Sequence, residues 1–356
     1  MEIKNINDFY KNKKVFITGH TGFKGSWLCA ILLSFGAKIK GYSLEPNTNP
    51  SLFEILGLNH RVESVIGDIR NLEKLSDEIN IFKPDIVFHL AAQPLVLESY
   101  KNPVWTYETN VIGTVNILEA CRFVDSIKSI INITTDKVYE NKEWDKGYIE
   151  TDNLCGYDPY SNSKSCSELV TYSYKMSFYN NENSPALSTA RSGNVIGGGD
   201  FSDNRIIPDC IRAAIKKEDI IVRNPHSTRP YQHVLECLRG YLILAQKQYE
   251  DKSYVGAYNF GPNDSDNVAT GKLVDIFCKK WEEIKWVNKS IEAPHEANFL
   301  KLDNSKAKNV LSWVPLIGID RAVELTCSWT KHWLNSKQSI YEYTLNQIDE
   351  YFFGGK

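Results

Sequence analysis

Gly19-His-Thr-Gly22-Phe-Lys-Gly25 directly follows the apolar run Val15-Phe-Ile-Thr18 and opens Ser26 to Phe35, whose apolar residues recur at helical spacing. A turn placed this way between a strand and a helix needs glycine for three reasons: the turn is tight, a phosphate must approach the backbone, and the helix must pack on the strand. The helix N-terminus adds free N–H groups and a partial positive charge, which suit a pyrophosphate. The motif therefore predicts a parallel α/β sheet carrying a dinucleotide on Gly19, Thr21, Gly22, Phe23, Lys24 and Gly25.

The rest of the first half repeats the theme of a strand-length apolar run followed by an amphipathic stretch. Lys38 to Tyr42, Val62 to Ile66, Asp85 to Leu90, Ser129 to Thr134 and Ala186 to Arg191 read as further strands, and Gly36 stands where a helix C-cap is expected. Trp105 to Phe123 reads as one long helix. Beyond residue 187 the alternation gives way to Gly197-Gly-Gly199, a basic stretch at 223–229 and a helix-rich end. The expected fold is α/β: a Rossmann-type doubly wound parallel sheet over 1–187, then a smaller mixed α/β substrate domain over 188–356. A strand near 254–261 is expected to return to the first domain.

Composition removes several alternatives. With 42% hydrophobic and 12% aromatic residues in 356, the chain can bury a core, and wholesale disorder is excluded. A net charge of -3 gives no bulk attraction for nucleic acid or an anionic membrane. The apolar run Trp27 to Leu33 is far shorter than the ~20 residues of a membrane span, and Met1 to Asp8 has no secretory pattern. Cysteines 29, 121, 155, 166, 210, 237, 278 and 327 are scattered without a Cys-x-x-Cys pair, so reduced thiols, a cytoplasmic location and no metal site are expected.

Three further patterns point to chemistry. Tyr160 and Lys164, after the helix-starting Asp158-Pro159, lie one turn apart on one helical face, where an ammonium would favour the phenolate and draw its pKa toward neutrality. Thr134-Thr-Asp-Lys-Val-Tyr139 leaves the carboxyl end of the fifth strand, where open parallel sheets hold their ligands. Strand two ends Gly41-Tyr-Ser-Leu-Glu45, with neither the usual ribose-binding Asp nor a following Arg, which favours NAD over NADP; Asp68 and Ile69 suit an adenine contact.

These motifs place the chain close to the CDP-glucose 4,6-dehydratases of the extended short-chain dehydrogenase/reductase superfamily, which it resembles over nearly its whole length. The resemblance is carried by Gly19 to Leu28, Phe88-His-Leu-Ala-Ala-Gln93, Thr134 to Glu140, Gly156 to Lys164, Arg191 to Asp200 and Arg229-Pro-Tyr-Gln-His-Val234. It implies NAD held also by Leu90, Ala91, Ala92, Gln93, Asn110, Tyr160 and Lys164, and a nucleotide sugar met by Gln93, Asn194, Arg223, Arg229 and His233. It further implies catalysis by Thr135, Asp136, Lys137, Tyr160 and Lys164. Related dTDP-glucose enzymes carry Glu where this chain has Lys137, and an ammonium cannot accept a proton. Cys155 and Tyr231 also depart, from an expected Gly and Trp. The helix around Asn110 is expected to form half of a four-helix contact in a homodimer or homotetramer. The product would feed deoxysugar synthesis for O-antigen or another polysaccharide. A nucleotide-sugar 4-epimerase is the competing expectation; it needs Tyr160, Lys164 and Thr135 but no acid and base for elimination.

Overall fold

The computed structural model describes residues 4–289 and 299–354. Seven strands form one parallel sheet: β1 (Lys14–Thr18), β2 (Lys38–Ser43), β3 (Glu63–Ile66), β4 (Ile86–His89), β5 (Ser129–Ile133), β6 (Ala186–Ser192) and β7 (Ala257–Phe260). Their spatial order is β3-β2-β1-β4-β5-β6-β7. The order reverses beside β1, where Thr18 pairs with Tyr42 on one side and His89 on the other. A crevice at the carboxyl ends of the strands is the geometric consequence of such a reversal.

Strands covered on both faces carry mostly apolar or small residues, and β5 (SIINI) and β6 (ALSTARS) are buried throughout, Asn132 and Arg191 included. Helices Leu72–Phe82, Gly113–Cys121 and Pro159–Phe178 cover one face, around Phe16, Val87, Ile117 and Ile130. Helices Phe23–Ser34, Val234–Glu250 and Ile340–Phe353 cover the other, around Val15, Trp27, Leu238, Phe260 and Phe352. The run Trp27 to Leu33 is apolar because its helix lies under both the second and the last of these. Gly36 takes a φ of +76° just past that helix, as a left-handed cap requires.

The second core lies among Ile206–Lys216, Thr270–Trp281 and Ile319–Asn335, with Ile207, Cys210, Phe277 and Val323 at its centre. Three short strand pairs join it, 195–196 with 232–233, 228–229 with 268–269, and 220–222 with 286–288. The chain visits this core, returns for 234–260, leaves again, and ends on the first. β7 lies parallel beside β6, with Ala257 opposite Thr189.

The long helix differs from expectation. It begins at Pro103, passes through a π turn at Glu108–Ile112 and ends at Cys121. The wide turn leaves Asn110 1% exposed, with its amide bonding Gln93 and Ser163. A π turn is rarely kept without such a reason.

Candidate active site

The Gly-rich turn sits at the sheet reversal. Gly19 has φ +77°, and a Cβ there would fall 2.7 Å from Ala91 N; one on Gly25 would fall 2.1 Å from Gly19 O. Gly22 is different: a Cβ would meet only Gly19 O, at 3.4 Å. Two glycines thus close the turn, and the third leaves an open cradle at the N-terminus of the helix that begins with Phe23 and Lys24.

Around this cradle the walls are fixed by hydrogen bonds. Thr21 Oγ1 joins Ser43 Oγ at 2.8 Å and donates to Leu44 O at 2.9 Å. His20 is buried, joined to Ser64 Oγ at 2.7 Å, and burial lowers its pKa to about 4. The Arg70 guanidinium grips Asp68 at 2.7 Å and holds its carboxyl below the usual range, while Tyr42 Oη and Asn116 Nδ2 donate to the carbonyls of Asp68 and Ile69. Leu90 N and Ala91 N bond Thr18, and Ala92 is half-buried. Gln93 is engaged at both ends of its amide, to Thr106 Oγ1 and from Leu95 N.

Beside the cradle, the turn Asp136–Val138 continues β5, with the Thr135 hydroxyl donating to Asp136 Oδ1 at 2.9 Å. Asp136 is 1% exposed, and its Oδ2 has no partner among the described residues. Lys137 is half-buried, and its ammonium makes no bond to any described residue. Helix Pro159–Phe178 starts where expected, because Asp158 accepts from Ser161 N at 3.0 Å and Pro159 occupies the first position.

Tyr160 is buried with its phenol bonded to Thr135, and Lys164 Nζ donates to Ile133 O at 3.2 Å. The pKa expectation is corrected here. Burial pushes the phenol up to about 12; the Thr135 bond and Arg205 pull it down, while Asp136 and Asp158 push it further up. Lys164 is aimed at the β5 carbonyl, so one-face spacing does not bring its charge onto the phenol. Burial and then Lys24 draw Lys164 down to about 8, with Glu168 opposing.

Sequence reasoning missed Arg205 and Glu168, and named Lys24 only as a cofactor contact. Arg205, paired with the buried Asp200 at 3.3 Å, acts electrostatically on both Tyr160 and Lys24. Lys24 itself reaches Ser192 Oγ at 2.8 Å, and burial lowers its pKa. Arg205 has no motif of its own, whereas Glu168 stands four residues after Lys164 and was legible by spacing.

Of the expected sugar-nucleotide residues, Asn194 is half-buried beside Ser192 with its side chain unengaged by described residues. Arg229 is buried on the strand pair 228–229 with 268–269. Arg223 is exposed, 3.5 Å from Asn204 Oδ1. His233 is fully buried, accepts from Leu235 N at the start of its helix, and is drawn to about 3 by burial and Arg321. Gln93 is thus engaged within the chain, whereas His233 Nε2 is buried with no partner among the described residues. Among the described residues no His, Cys, Asp or Glu group could hold a metal, and no helix is long and apolar enough to cross a membrane.

Residues 16–326 match the family described as GDP-mannose 4,6 dehydratase. A CDP-glucose 4,6-dehydratase from Salmonella typhimurium is 48% identical over 339 residues, 94% of each chain. Among solved structures, an epimerase from Methanothermobacter thermautotrophicus superposes with a TM-score of 0.80 at 22% identity, covering 93% of this chain and 96% of its own. A dTDP-glucose 4,6-dehydratase from Bacillus anthracis, solved in complex with NAD, gives 0.75 at 21%, covering 91% and 98%. These two likenesses bear on the fold alone. A match spanning both cores, together with a relative nearly half identical from end to end, makes this chain a member of the GDP-mannose 4,6 dehydratase family.

Proposed function

We propose that the chain is an NAD-dependent CDP-glucose 4,6-dehydratase, converting CDP-glucose to CDP-4-keto-6-deoxyglucose and water. The observation that carries this is Asp136: a buried carboxyl with a free Oδ2, in one turn with Thr135 and within electrostatic reach of Tyr160. A 4-epimerase has no use for an acid there. The nucleotide follows the relative named CDP-glucose 4,6-dehydratase.

The open cradle at Gly22 fits NAD. Gly19, Gly22, Phe23, Lys24 and Gly25 would hold its pyrophosphate, Thr21 and Ser43 its adenosine ribose, the Asp68-Ile69 and Leu90 to Gln93 walls its rings, and Lys164 its second ribose. With no Arg directly after Ser43, nothing there favours a 2'-phosphate. Bound NAD supplies hydride transfer from C4 and back to C6, so no external reductant is consumed.

The residues handle the protons. Tyr160 Oη takes the C4 hydroxyl proton while Thr135 holds the same oxygen. The C4 ketone acidifies the C5 proton, which the free-base amine of Lys137 takes up to become an ammonium. Asp136 gives its proton to the departing C6 hydroxyl, which leaves as water. Asn194 meets the sugar nucleotide, and Arg223 and Arg229 its pyrophosphate, since a guanidinium fork matches phosphate oxygens. In this proposal 1–187 serves the cofactor, 188–356 serves the sugar nucleotide, and the enzyme is cytoplasmic, which its eight free thiols support.

CDP-glucose deuterated at C4 tests the reading. The label should appear at C6 of a product lighter by one water, with no added NADH. Label kept at C4 without water loss would indicate the epimerase, and label lost to solvent would reject an internal hydride.

The cradle has its own test. Gly22→Ala should weaken NAD binding measured by calorimetry while leaving unfolding within about 0.5 kcal/mol, because its Cβ enters only the cradle. Gly25→Ala should instead lower the unfolding free energy in urea by about 1–3 kcal/mol, because its Cβ enters backbone.

Homodimerisation belongs to the same proposal. Val104, Ile112, Leu169, Tyr172 and Met176 are exposed on the two packed helices 103–121 and 159–178, with Val104 at 70% and Tyr172 at 61%. A second copy covering this face would build the four-helix contact. Leu169→Glu combined with Tyr172→Glu should shift sedimentation from dimer or tetramer to monomer; unchanged sedimentation would place the contact elsewhere.

A further inference from the structure

Tyr160, Lys164 and Glu168 recur every four residues and share one face of helix Pro159–Phe178. The mechanism uses the first two. Glu168 is buried with only 3% of its side chain exposed, and both oxygens are filled. Oε1 accepts from Thr134 Oγ1 at 2.5 Å and Arg191 Nε at 2.8 Å; Oε2 accepts from Thr189 Oγ1 at 2.7 Å and the second Arg191 nitrogen at 2.9 Å. Arg191 continues to Tyr139 Oη at 2.8 Å and Glu150 O at 3.1 Å. The pair thereby ties Thr134 and Tyr139, the two ends of the turn bearing Thr135, Asp136 and Lys137, to the helix bearing Tyr160 and Lys164. Stability alone does not call for it, since apolar residues of similar volume often replace a buried ion pair without loss.

We infer that Glu168 is a positioning residue of the dehydratase reaction: it fixes the 134–139 turn through Thr134 and Arg191, and places a carboxylate one helical turn from Lys164. This rests on the roles proposed for Tyr160 and Lys164. Lys164 faces Lys24 from helix Phe23–Ser34, His89 from β4, the Ile133 carbonyl from β5, and Tyr160 and Glu168 on its own helix. His89 is neutral, since burial and then Lys164 draw it to about 3. Burial and Lys24 act against the ammonium, and Glu168 acts for it. Lys164 loses its proton as pH rises, so loss of Glu168 moves that event to lower pH.

The test compares kcat against pH for wild type and Glu168→Gln with CDP-glucose and NAD. The alkaline limb of the variant should lie at lower pH, with the wild-type to variant ratio growing about tenfold per pH unit between the two midpoints. Glu168→Gln with Arg191→Met also removes the stranded guanidinium, and should show a displacement in the same direction but smaller, because a positive charge is lost with the negative one. Glu168→Asp should restore part of it. A ratio constant with pH would reduce the pair to a structural role and overturn the inference. Carbon-13 NMR of labelled lysines in wild type, with Lys164 assigned through Lys164→Arg, should find Lys164 charged at neutral pH and titrating below the ordinary lysine range. A Lys164 already neutral there overturns the inference even where no variant folds. A wild type lacking dehydratase activity rejects the proposed function instead, and comparison of the Lys164 titration in wild type and Glu168→Gln still decides on Glu168.

Discussion

Tyr160→Phe is expected to lower kcat by about 100- to 10,000-fold, the usual contribution of one positioned acid or base, while thermal unfolding changes little. The lost oxygen removes one hydrogen bond, to Thr135, worth about 0.5–1.5 kcal/mol, and Thr135 keeps its other partner, Asp136. No charge is stranded, because burial holds the phenol at about 12 and it carries its proton at neutral pH in the unliganded chain. The same fact sets the sign of the pH dependence. A base that must first lose a proton gains activity as pH rises, and its acid limb is displaced downward by each cation brought near it. Arg205 and any positive charge on a bound ligand act in that direction. Stopped kinetics across pH should therefore show a rising limb in wild type that Phe abolishes. Near-full turnover in the variant would remove Tyr160 from the reaction.

The sheet was legible because each strand is bracketed by chemistry that only a crossover fold needs. Val15 to Thr18 runs into glycines that a Cβ would jam, and β5 and β6 are buried on both faces and carry mostly apolar or small residues. The π turn was not legible, because Asn110 looks like any polar residue in a helical pattern until Gln93 and Ser163 are placed around it. Charge placement was the other blind spot. Spacing puts Tyr160 and Lys164 on one face, yet the Ile133 carbonyl holds the ammonium and burial governs the phenol, and both are tertiary facts. His233 shows the same limit: its motif marks a polar residue at the site, but not that the start of a helix buries it. Arg205 reaches the site from the second core across 45 residues of chain from Tyr160, a separation that no local pattern encodes.

Lys137→Met is expected to separate the two halves of the reaction. In the proposed mechanism oxidation at C4 is assigned to Tyr160, Thr135 and Lys164, none of which bonds the Lys137 side chain, so a single turnover should accumulate reduced-cofactor absorbance. If the amine takes the C5 proton, exchange of that proton with deuterated water stops and dehydration falls by about 100- to 10,000-fold. Methionine matches the length of the lysine stem, and the ammonium makes no bond to a described residue, so the fold loses little. Lys137→Arg then divides base from charge. A guanidinium keeps the positive charge that would steady an enolate or a pyrophosphate, but it cannot take a proton at neutral pH. Substantial activity in the Arg variant, with exchange at C5 continuing, would reject Lys137 as the base and leave it as an electrostatic partner, because elimination itself would still run through Asp136. Loss of exchange in both variants would fix the base at Lys137 Nζ, since charge is the one property that Arg preserves and Met does not.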